Sequence, residues 1–226
     1  MNFENYDVII FDLDGTLINS EPLHEQALKS VLQKSGIPCE HKNLHETYFG
    51  QSDTMVFKSL LSTNDPDKLS HLIDFKNAEL KNIIENFDES EFMSFLTPGV
   101  EKFLSFLDKK EKTLALVSAS EKIIVEATLK KARLNHHFTL TLGREDTFCG
   151  KPGPAPYLLA MRILGVDQQK VLIFEDSPTG LTAAQLSGAQ LIIRIATFAP
   201  NIQPSIFNEF PGIANYNGLI QENSPL

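Results

Sequence analysis

Five short apolar runs recur along the chain, and their length and β-branched content predict strands. They are DVIIF (7–11), TLALV (113–117), FTLTL (138–142), KVLIF (170–174) and AQLIIRI (189–195). Most are apolar without alternation, which is typical of strands covered on both faces. Helical patterns separate the later runs, in EKIIVEATLKKARL (121–134), PAPYLLAMRILG (154–165) and PTGLTAAQLSGA (178–189). Strands alternating with helices predict an α/β fold with a parallel sheet and right-handed crossovers.

The interval from 19 to 96 departs from this alternation. It contains long amphipathic patterns, EPLHEQALKSVLQKSG (21–36) and DKLSHLIDFKNAELKNIIENF (67–87), and no convincing strand. We therefore predict an α-helical insert over 19–96 and an α/β core made of 1–18 and 97–226. Thr97-Pro98-Gly99 marks the return of the chain to the core. The Pro- and Asn-rich end, 198–226, gives no clear pattern of elements.

Composition and charge narrow the class of protein. The chain has 226 residues, 42% hydrophobic, and a net charge of -9, which argues against nucleic acid as a main partner. No apolar run approaches the roughly 18 residues of a membrane helix, and the polar start does not resemble a signal peptide. Only Cys39 and Cys149 are present. We expect a cytoplasmic protein, monomeric or weakly dimeric, without a thiolate metal site.

Two aspartates follow the first predicted strand, in the run VIIFDLDGT (8–16). In parallel α/β sheets, ligands lie beyond the carboxyl ends of the strands, where Asp12 and Asp14 are expected. Side chains two residues apart on an extended chain point the same way, so both carboxylates can face one pocket. Clustered carboxylates raise one another's pKa unless a cation joins them. This pattern favours a hard divalent cation such as Mg²⁺, although a simple Asp-Gly turn remains an alternative.

Three more polar groups are predicted at the same edge of the sheet. Ser118 follows TLALV, and Glu175 and Asp176 follow KVLIF. Lys151, in GKPGPAP (150–156), precedes a helix, where a cation and a helix N-terminus together could hold an anion. Each feature alone has an ordinary structural explanation, but their shared position indicates one site.

These four motifs, DLDGT, Ser118 after a strand, Lys151 in GKP, and FEDS (174–177), resemble the motif set of the haloacid dehalogenase superfamily. The resemblance spans roughly 7–195. It implies a Rossmann-like doubly wound core, and the helical insert resembles the α-helical cap of the phosphatase and β-phosphoglucomutase-like branch.

The resemblance also implies roles for the acidic residues. Asp12 resembles the nucleophile that becomes an aspartyl-phosphate, and Asp14 resembles the general acid and base. The Mg²⁺ ligands would be Asp12, the backbone carbonyl of Asp14, Asp176, and Glu175 either directly or through a water. Asp14 argues against dehalogenation, because dehalogenases of this type lack the second acid.

Phosphate binding is implied for Ser118, Ala119 and Lys151. Where this chain has Ala155, relatives usually carry an acidic residue that supports the lysine. The positioning of Lys151 in this chain is therefore open. The stretch YFGQSD (48–53) resembles the specificity loop of the cap.

Further cap residues bear on the substrate. Gly50, Gln51, Ser52, Asp53, His24 and Lys76 are the candidate substrate residues in the cap. Phosphosugar mutases of the branch have a basic residue near position 53, whereas Asp53 would repel a second phosphate. His24 and Lys76 could equally be ordinary polar positions on amphipathic helices. We therefore expect a Mg²⁺-dependent phosphatase of a small phosphorylated metabolite; the alternatives are a phosphosugar mutase and a catalytically idle binding protein.

Overall fold

Strand β1 (Val8–Phe11) has parallel neighbours on both sides. The structure, a computed structural model, describes residues 2–37, 53–198 and 205–220. In that part of the chain the other strands are β2 (Thr113–Val117), β3 (Leu140–Leu142), β4 (Val171–Glu175), β5 (Leu191–Ile195) and β6 (Gly212–Ile213). They form one parallel sheet in the order β3-β2-β1-β4-β5-β6. The predicted α/β fold class is confirmed.

Eight α-helices and several short 3₁₀ turns occur in the described residues. They are α1 (Glu21–Lys34), α2 (Asp53–Leu61), α3 (Pro66–Asn86), α4 (Glu89–Met93), α5 (Val100–Lys109), α6 (Lys122–Lys131), α7 (Ala155–Leu164) and α8 (Pro178–Leu186). The last three lie within the helical patterns of the sequence and are shorter than those patterns. Glycine in the left-handed conformation ends α7 at Gly165, where φ is 65°.

The central strand is buried on both faces. Ile10 is paired in register with Ala115 of β2 and Ile173 of β4, and all three are fully buried. Phe11, on the opposite face, stacks on Phe174 with ring centroids 5.0 Å apart. Burying one such side chain contributes about 1.5–3 kcal/mol, so the continuous apolar sequence of β1 specifies the middle of the sheet.

The C-terminal segment adds to this core, which the sequence did not predict. Strand β6 extends the sheet beside β5, with Arg194 in register with Gly212. Tyr216 is fully buried, and its ring stacks on Phe103 at 5.1 Å. Its hydroxyl donates to the carbonyl of Thr16 at 3.4 Å. The segment therefore supports the chain that follows β1.

The chain divides into two compact units. One consists of Met1–Asn19 and Glu89–Leu226, and the other of Ser20–Asp88. Helix α4 thus groups with the sheet, whereas our predicted insert ran to residue 96. The assignment of 19–96 as a cap domain stays a prediction.

The second unit has its own hydrophobic core, formed by α1, α2 and α3. Its fully buried members include Val31, Leu32 and Phe57. Asp65 caps α3 by accepting from the backbone N–H groups of Asp67 and Lys68. Among the described residues, no helix is both long enough and apolar enough to cross a membrane.

Candidate active site

The polar residues at the carboxyl edge of the sheet are held there by the strand ladder. Asp12 follows β1 directly, and its N–H donates to the carbonyl of Phe174 at 3.0 Å. Ser118 follows β2, with its N–H 3.0 Å from the carbonyl of Leu142. Glu175 is the last residue of β4. Because the three strands are parallel neighbours, these side chains meet at one edge.

Lys151 forms hydrogen bonds with both Asp12 and Glu175. Its Nζ lies 2.5 Å from Asp12 Oδ1, 2.7 Å from Glu175 Oε1 and 3.0 Å from the carbonyl of Val117. The side chain is only 4% exposed. The sequence indicated a lysine acting together with a helix N-terminus; instead, Lys151 lies four residues before α7 and contacts carboxylates. Burial tends to lower the pKa of Lys151, but Asp12 and Glu175 outweigh it and raise that pKa well above its usual value.

Tyr157 is a second support for this lysine, and the sequence analysis missed it. It is fully buried, its hydroxyl donates to Glu175 Oε1 at 3.1 Å, and Lys151 Nζ lies 5.0 Å from its ring centroid. Burial and the nearby Glu175 raise the pKa of Tyr157 well above its usual value, which keeps it a hydrogen-bond donor. Lys151 is therefore held in place although residue 155 is alanine.

Glu175 accepts hydrogen bonds on both oxygens. Lys151 and Tyr157 donate to Oε1, while Oε2 accepts from the N–H groups of Asp176 and Ser177 and from the Ser177 hydroxyl. A carboxylate has about four acceptor sites, so these five donors saturate it. Gly180 is required beside it, because a Cβ there would lie 1.6 Å from Glu175 Oε1.

Asp12, Glu175 and Asp176 form an acidic group of a size that could hold a metal ion. Each offers one oxygen, and the three oxygens lie within 4.8 Å of one another. Burial, and then Glu175 and Asp14 against the opposing effect of Lys151, raise the pKa of Asp12 to about 8. Burial and Glu175 likewise raise the pKa of Asp176 well above its usual value. An all-oxygen, electron-rich cluster of this kind fits a hard divalent cation.

The carboxylate of Asp14 has different hydrogen-bond partners from that acidic group. Its Oδ2 accepts from the hydroxyl of Ser120 at 2.7 Å and from the hydroxyl of Ser118 at 3.3 Å. Its carboxylate is not among the three that could share a metal ion. Gly15, which follows, has a φ of +81°, and a Cβ there would lie 2.1 Å from Asp176 Oδ2. The turn therefore needs glycine for both conformation and space.

Known proteins are similar to this chain in sequence and in fold. The family model described as haloacid dehalogenase-like hydrolase matches residues 9–193. The chain belongs to this family. The phosphorylated carbohydrates phosphatase of Thermotoga maritima is 29% identical to it over 195 residues, covering 82% of this chain and 83% of that protein. The fructose-1-phosphate phosphatase YqaB of Escherichia coli is 26% identical, covering 84% and 97%.

Solved structures agree on the fold. The crystal structure of CbbY from Rhodobacter sphaeroides in complex with phosphate superposes with a TM-score of 0.81 at 20% identity, covering 95% of this chain and 96% of that chain. At this identity the likeness concerns the fold alone. It supports the haloacid dehalogenase architecture that the motifs predicted.

The predicted phosphate-binding residues occupy one turn and one loop of this haloacid dehalogenase fold. Ser118 is buried, and Ala119 beside it is exposed. Within the described part of the chain, the N–H of Ala119 donates no hydrogen bond. Together with Lys151, these groups offer a hydroxyl, an amide and an ammonium at one edge of the sheet.

The predicted cap residues of the second unit converge on Lys76. Its Nζ lies 2.7 and 2.8 Å from the two carboxylate oxygens of Asp53 and 2.9 Å from Nδ1 of His24. Lys76 is only 2% exposed, so it is not an ordinary polar position on a helix surface. Asp53, which we expected to repel a second phosphate, is paired with Lys76 in the structure, and its effect on the substrate stays a prediction.

The other predicted cap residues are Gly50, Gln51 and Ser52. They lie outside the residues that the structure describes. Their role in the predicted specificity loop stays a prediction.

Proposed function

We propose that this haloacid dehalogenase family member is a Mg²⁺-dependent phosphatase that hydrolyses a small phosphate monoester through an aspartyl-phosphate on Asp12. One observation carries the proposal: two carboxylates only two residues apart in sequence have different contacts. Asp12 belongs to the acidic group that could bind a metal, while Asp14 binds two serine hydroxyls. Such a separation suits a nucleophile and an acid-base residue.

The first chemical step would belong to Asp12. Its carboxylate oxygen attacks phosphorus, forming an O–P bond as the bond to the leaving oxygen breaks. Ser118, the N–H of Ala119 and Lys151 would hold the phosphoryl oxygens. A bound Mg²⁺, held by Asp12, Asp176 and the carbonyl of Asp14, would supply positive charge that lets two anions approach.

Asp14 would carry the proton in both halves of the reaction. It gives a proton to the leaving oxygen in the first half, and it takes one from the attacking water in the second. That second attack breaks the phosphoryl bond to Asp12 and releases inorganic phosphate. Before substrate binds, the hydroxyls of Ser118 and Ser120 hold Asp14 at the edge of the site.

Glu175 would act through other residues. Its five hydrogen bonds already engage both carboxylate oxygens in this arrangement, more than those of Asp12 or Asp176. We therefore assign Glu175 to holding Lys151, and any influence on the metal is indirect. The sequence left two roles open for Glu175, binding the metal directly or through a water, and these hydrogen bonds favour the indirect role.

The class of substrate is a monophosphate of a sugar or polyol. Support comes from the phosphatases of phosphorylated carbohydrates among the relatives. Support also comes from the cluster around Lys76, because its ammonium is already paired with Asp53 and is not an uncompensated cation for a second phosphate. A phosphosugar mutase needs such a cation, so the ion pair favours hydrolysis.

The test is hydrolysis of 4-nitrophenyl phosphate and of a panel of sugar and polyol monophosphates, with Mg²⁺ or with EDTA. We expect Mg²⁺-dependent release of phosphate, lost in Asp12→Asn and retained in Asp74→Asn, a matched change at an exposed position of α3. Activity that persists in Asp12→Asn would contradict the proposal. Conversion of a sugar monophosphate to its positional isomer, primed by the bisphosphate, would instead identify a mutase.

A further inference from the structure

Ser120 makes a shorter hydrogen bond to Asp14 than Ser118 does. Its hydroxyl lies 2.7 Å from Asp14 Oδ2, whereas the hydroxyl of Ser118 lies 3.3 Å from the same oxygen. The backbone N–H of Ser120 also donates to the Ser118 hydroxyl at 2.9 Å. The sequence analysis did not select Ser120, because a second serine in a turn gives no signal of its own.

The turn that carries Ser120 is fixed by its neighbours. The carbonyl of Ser120 accepts from the N–H of Arg144 at 2.9 Å, and the N–H of Lys122 donates to Glu145 at 2.9 Å. Gly143 packs so closely that a Cβ there would lie 2.8 Å from the backbone of Lys122. The segment 143–145 therefore holds the turn between β2 and α6, and Ser120 is presented to Asp14 by a constrained backbone.

A helix-capping role does not account for this serine. The N-cap of α6 is Glu121, and the free N–H of Lys122 at that helix end is bound by Glu145, so neither role falls to Ser120. The Ser120 hydroxyl donates its proton to a carboxylate instead of accepting from a helix N–H. Its contact is with the proposed acid-base residue.

We propose that Ser120 is a positioning residue that holds Asp14 while substrate is bound. The inference rests on the proposed function, in which Ser118 binds the phosphoryl group. A serine hydroxyl has one proton to donate, so Ser118 cannot donate to a phosphoryl oxygen and to Asp14 at once. Ser120 is then the hydroxyl that continues to hold Asp14.

The hydroxyl suits both protonation states of its partner. It donates to Asp14 when the carboxyl is ionised, and it can accept the proton of Asp14 when the carboxyl is neutral. Asp14 gives up and regains a proton in each proposed turnover, so its orientation needs a partner that works in both states. Alanine at 120 would remove that partner without changing the charge of the site.

The experiment compares two esters of similar size, 4-nitrophenyl phosphate and benzyl phosphate. Nitrophenolate leaves without a proton, whereas the benzyl alkoxide needs one from Asp14. The value of kcat/KM includes the steps up to release of the leaving group and excludes hydrolysis of the phosphoenzyme. We expect Ser120→Ala to lower kcat/KM for benzyl phosphate by about 10- to 100-fold, less than the 10²–10⁴ of general acid catalysis.

For 4-nitrophenyl phosphate, kcat/KM should change less than threefold. Ser120→Thr, which keeps the hydroxyl, should restore benzyl phosphate hydrolysis. Ser94→Ala removes a serine hydroxyl that donates to the carbonyl of Glu91 and should leave both esters unaffected. An equal loss with both esters would overturn the inference, because it would indicate general damage or a role in phosphate binding.

The two proposals can fail separately. If wild type is active, Asp12→Asn is inactive and Ser120→Ala matches wild type with both esters, the proposed function stands and the role of Ser120 is wrong. If Asp12→Asn keeps its activity, the proposed function fails and the role of Ser120 fails with it.

Discussion

Replacing Asp12 with asparagine should raise the thermal stability of the metal-free protein while it abolishes turnover. The site holds four carboxylates, of Asp12, Asp14, Glu175 and Asp176, and one ammonium, of Lys151, for a formal charge of -3 when all are ionised. The change removes one buried negative charge at nearly constant volume. It also removes the nucleophile, because an amide oxygen is far less reactive than a carboxylate.

The magnitude follows from the pKa of Asp12 in the fold. Burial raises that pKa from 3.8 to about 8. At pH 7 the folded protein therefore keeps the carboxyl protonated about three pH units above the pKa that it has in the unfolded chain, which lowers the free energy of unfolding by at most about 4 kcal/mol. The asparagine variant loses the charge-assisted hydrogen bond with Lys151, worth about 2 kcal/mol. The net gain is therefore about 2 kcal/mol, or about 4–8 °C for a protein of this size.

The pH dependence has a definite sign. The pKa of Asp12 is higher in the folded than in the unfolded protein, so its contribution is fully present below about pH 3.8 and is lost as the pH rises towards about 8. In EDTA, wild-type stability should fall between pH 5 and pH 8. The Asp12→Asn protein should show a shallower fall, so the gap between them widens with pH.

Thermal unfolding by circular dichroism in EDTA and in Mg²⁺ measures both effects. Mg²⁺ should stabilise wild type, by about 2.7 kcal/mol at a hundredfold excess over Kd, and the variant much less. Asp74→Asn is the control for an exposed carboxylate. If Asp12→Asn unfolds at or below the wild-type temperature in EDTA at pH 7.5, the acidic group does not destabilise the metal-free fold and the reasoning is refuted.

Three further changes test the remaining assignments. Asp14→Asn should lower kcat by about 10²- to 10⁴-fold yet keep Mg²⁺-dependent thermal stabilisation, which Asp176→Asn should lose. Tyr157→Phe should raise the inhibition constant for inorganic phosphate and cost about 1–3 kcal/mol in urea unfolding, since Glu175 loses a buried donor. Asp53→Asn should cost about 3–5 kcal/mol in the same assay, because it leaves a buried lysine without its carboxylate; a cost under 1 kcal/mol would contradict this.

The sheet could be predicted because most of its strands are recognisable from their own apolar sequence. VIIF and LIIRI are apolar at nearly every position, and each occupies a strand in the structure. Strand β6 could not be predicted, because Gly212–Ile213 is too short to show a period and depends on pairing with β5. Tyr216 was missed for the same reason, since its burial depends on rings far away in sequence.

The candidate site was predictable mainly where a residue lies at the carboxyl end of a strand. Asp12, Ser118 and Glu175 all do, so topology alone brings them together. Tyr157 reads as one more apolar position on a helix, and only the tertiary structure shows its hydroxyl on Glu175. The pairing of Asp53 with Lys76 could likewise not be predicted, because the two residues are 23 positions apart in sequence.

Lys76 and Lys151 are both buried among carboxylates, but only the cluster around Lys151 needs a metal ion to balance its charge. Lys76 is matched by the single carboxylate of Asp53, so that cluster is electrically balanced as it stands. Lys151 faces Asp12 and Glu175 at once, with the carboxylate of Asp176 nearby, and one ammonium cannot neutralise three carboxylates. Burial first, and then the neighbouring carboxylates, raise the pKa of Asp12 to about 8. A divalent cation corrects the imbalance by supplying two positive charges, and it would do so where the proposed reaction brings in a phosphate.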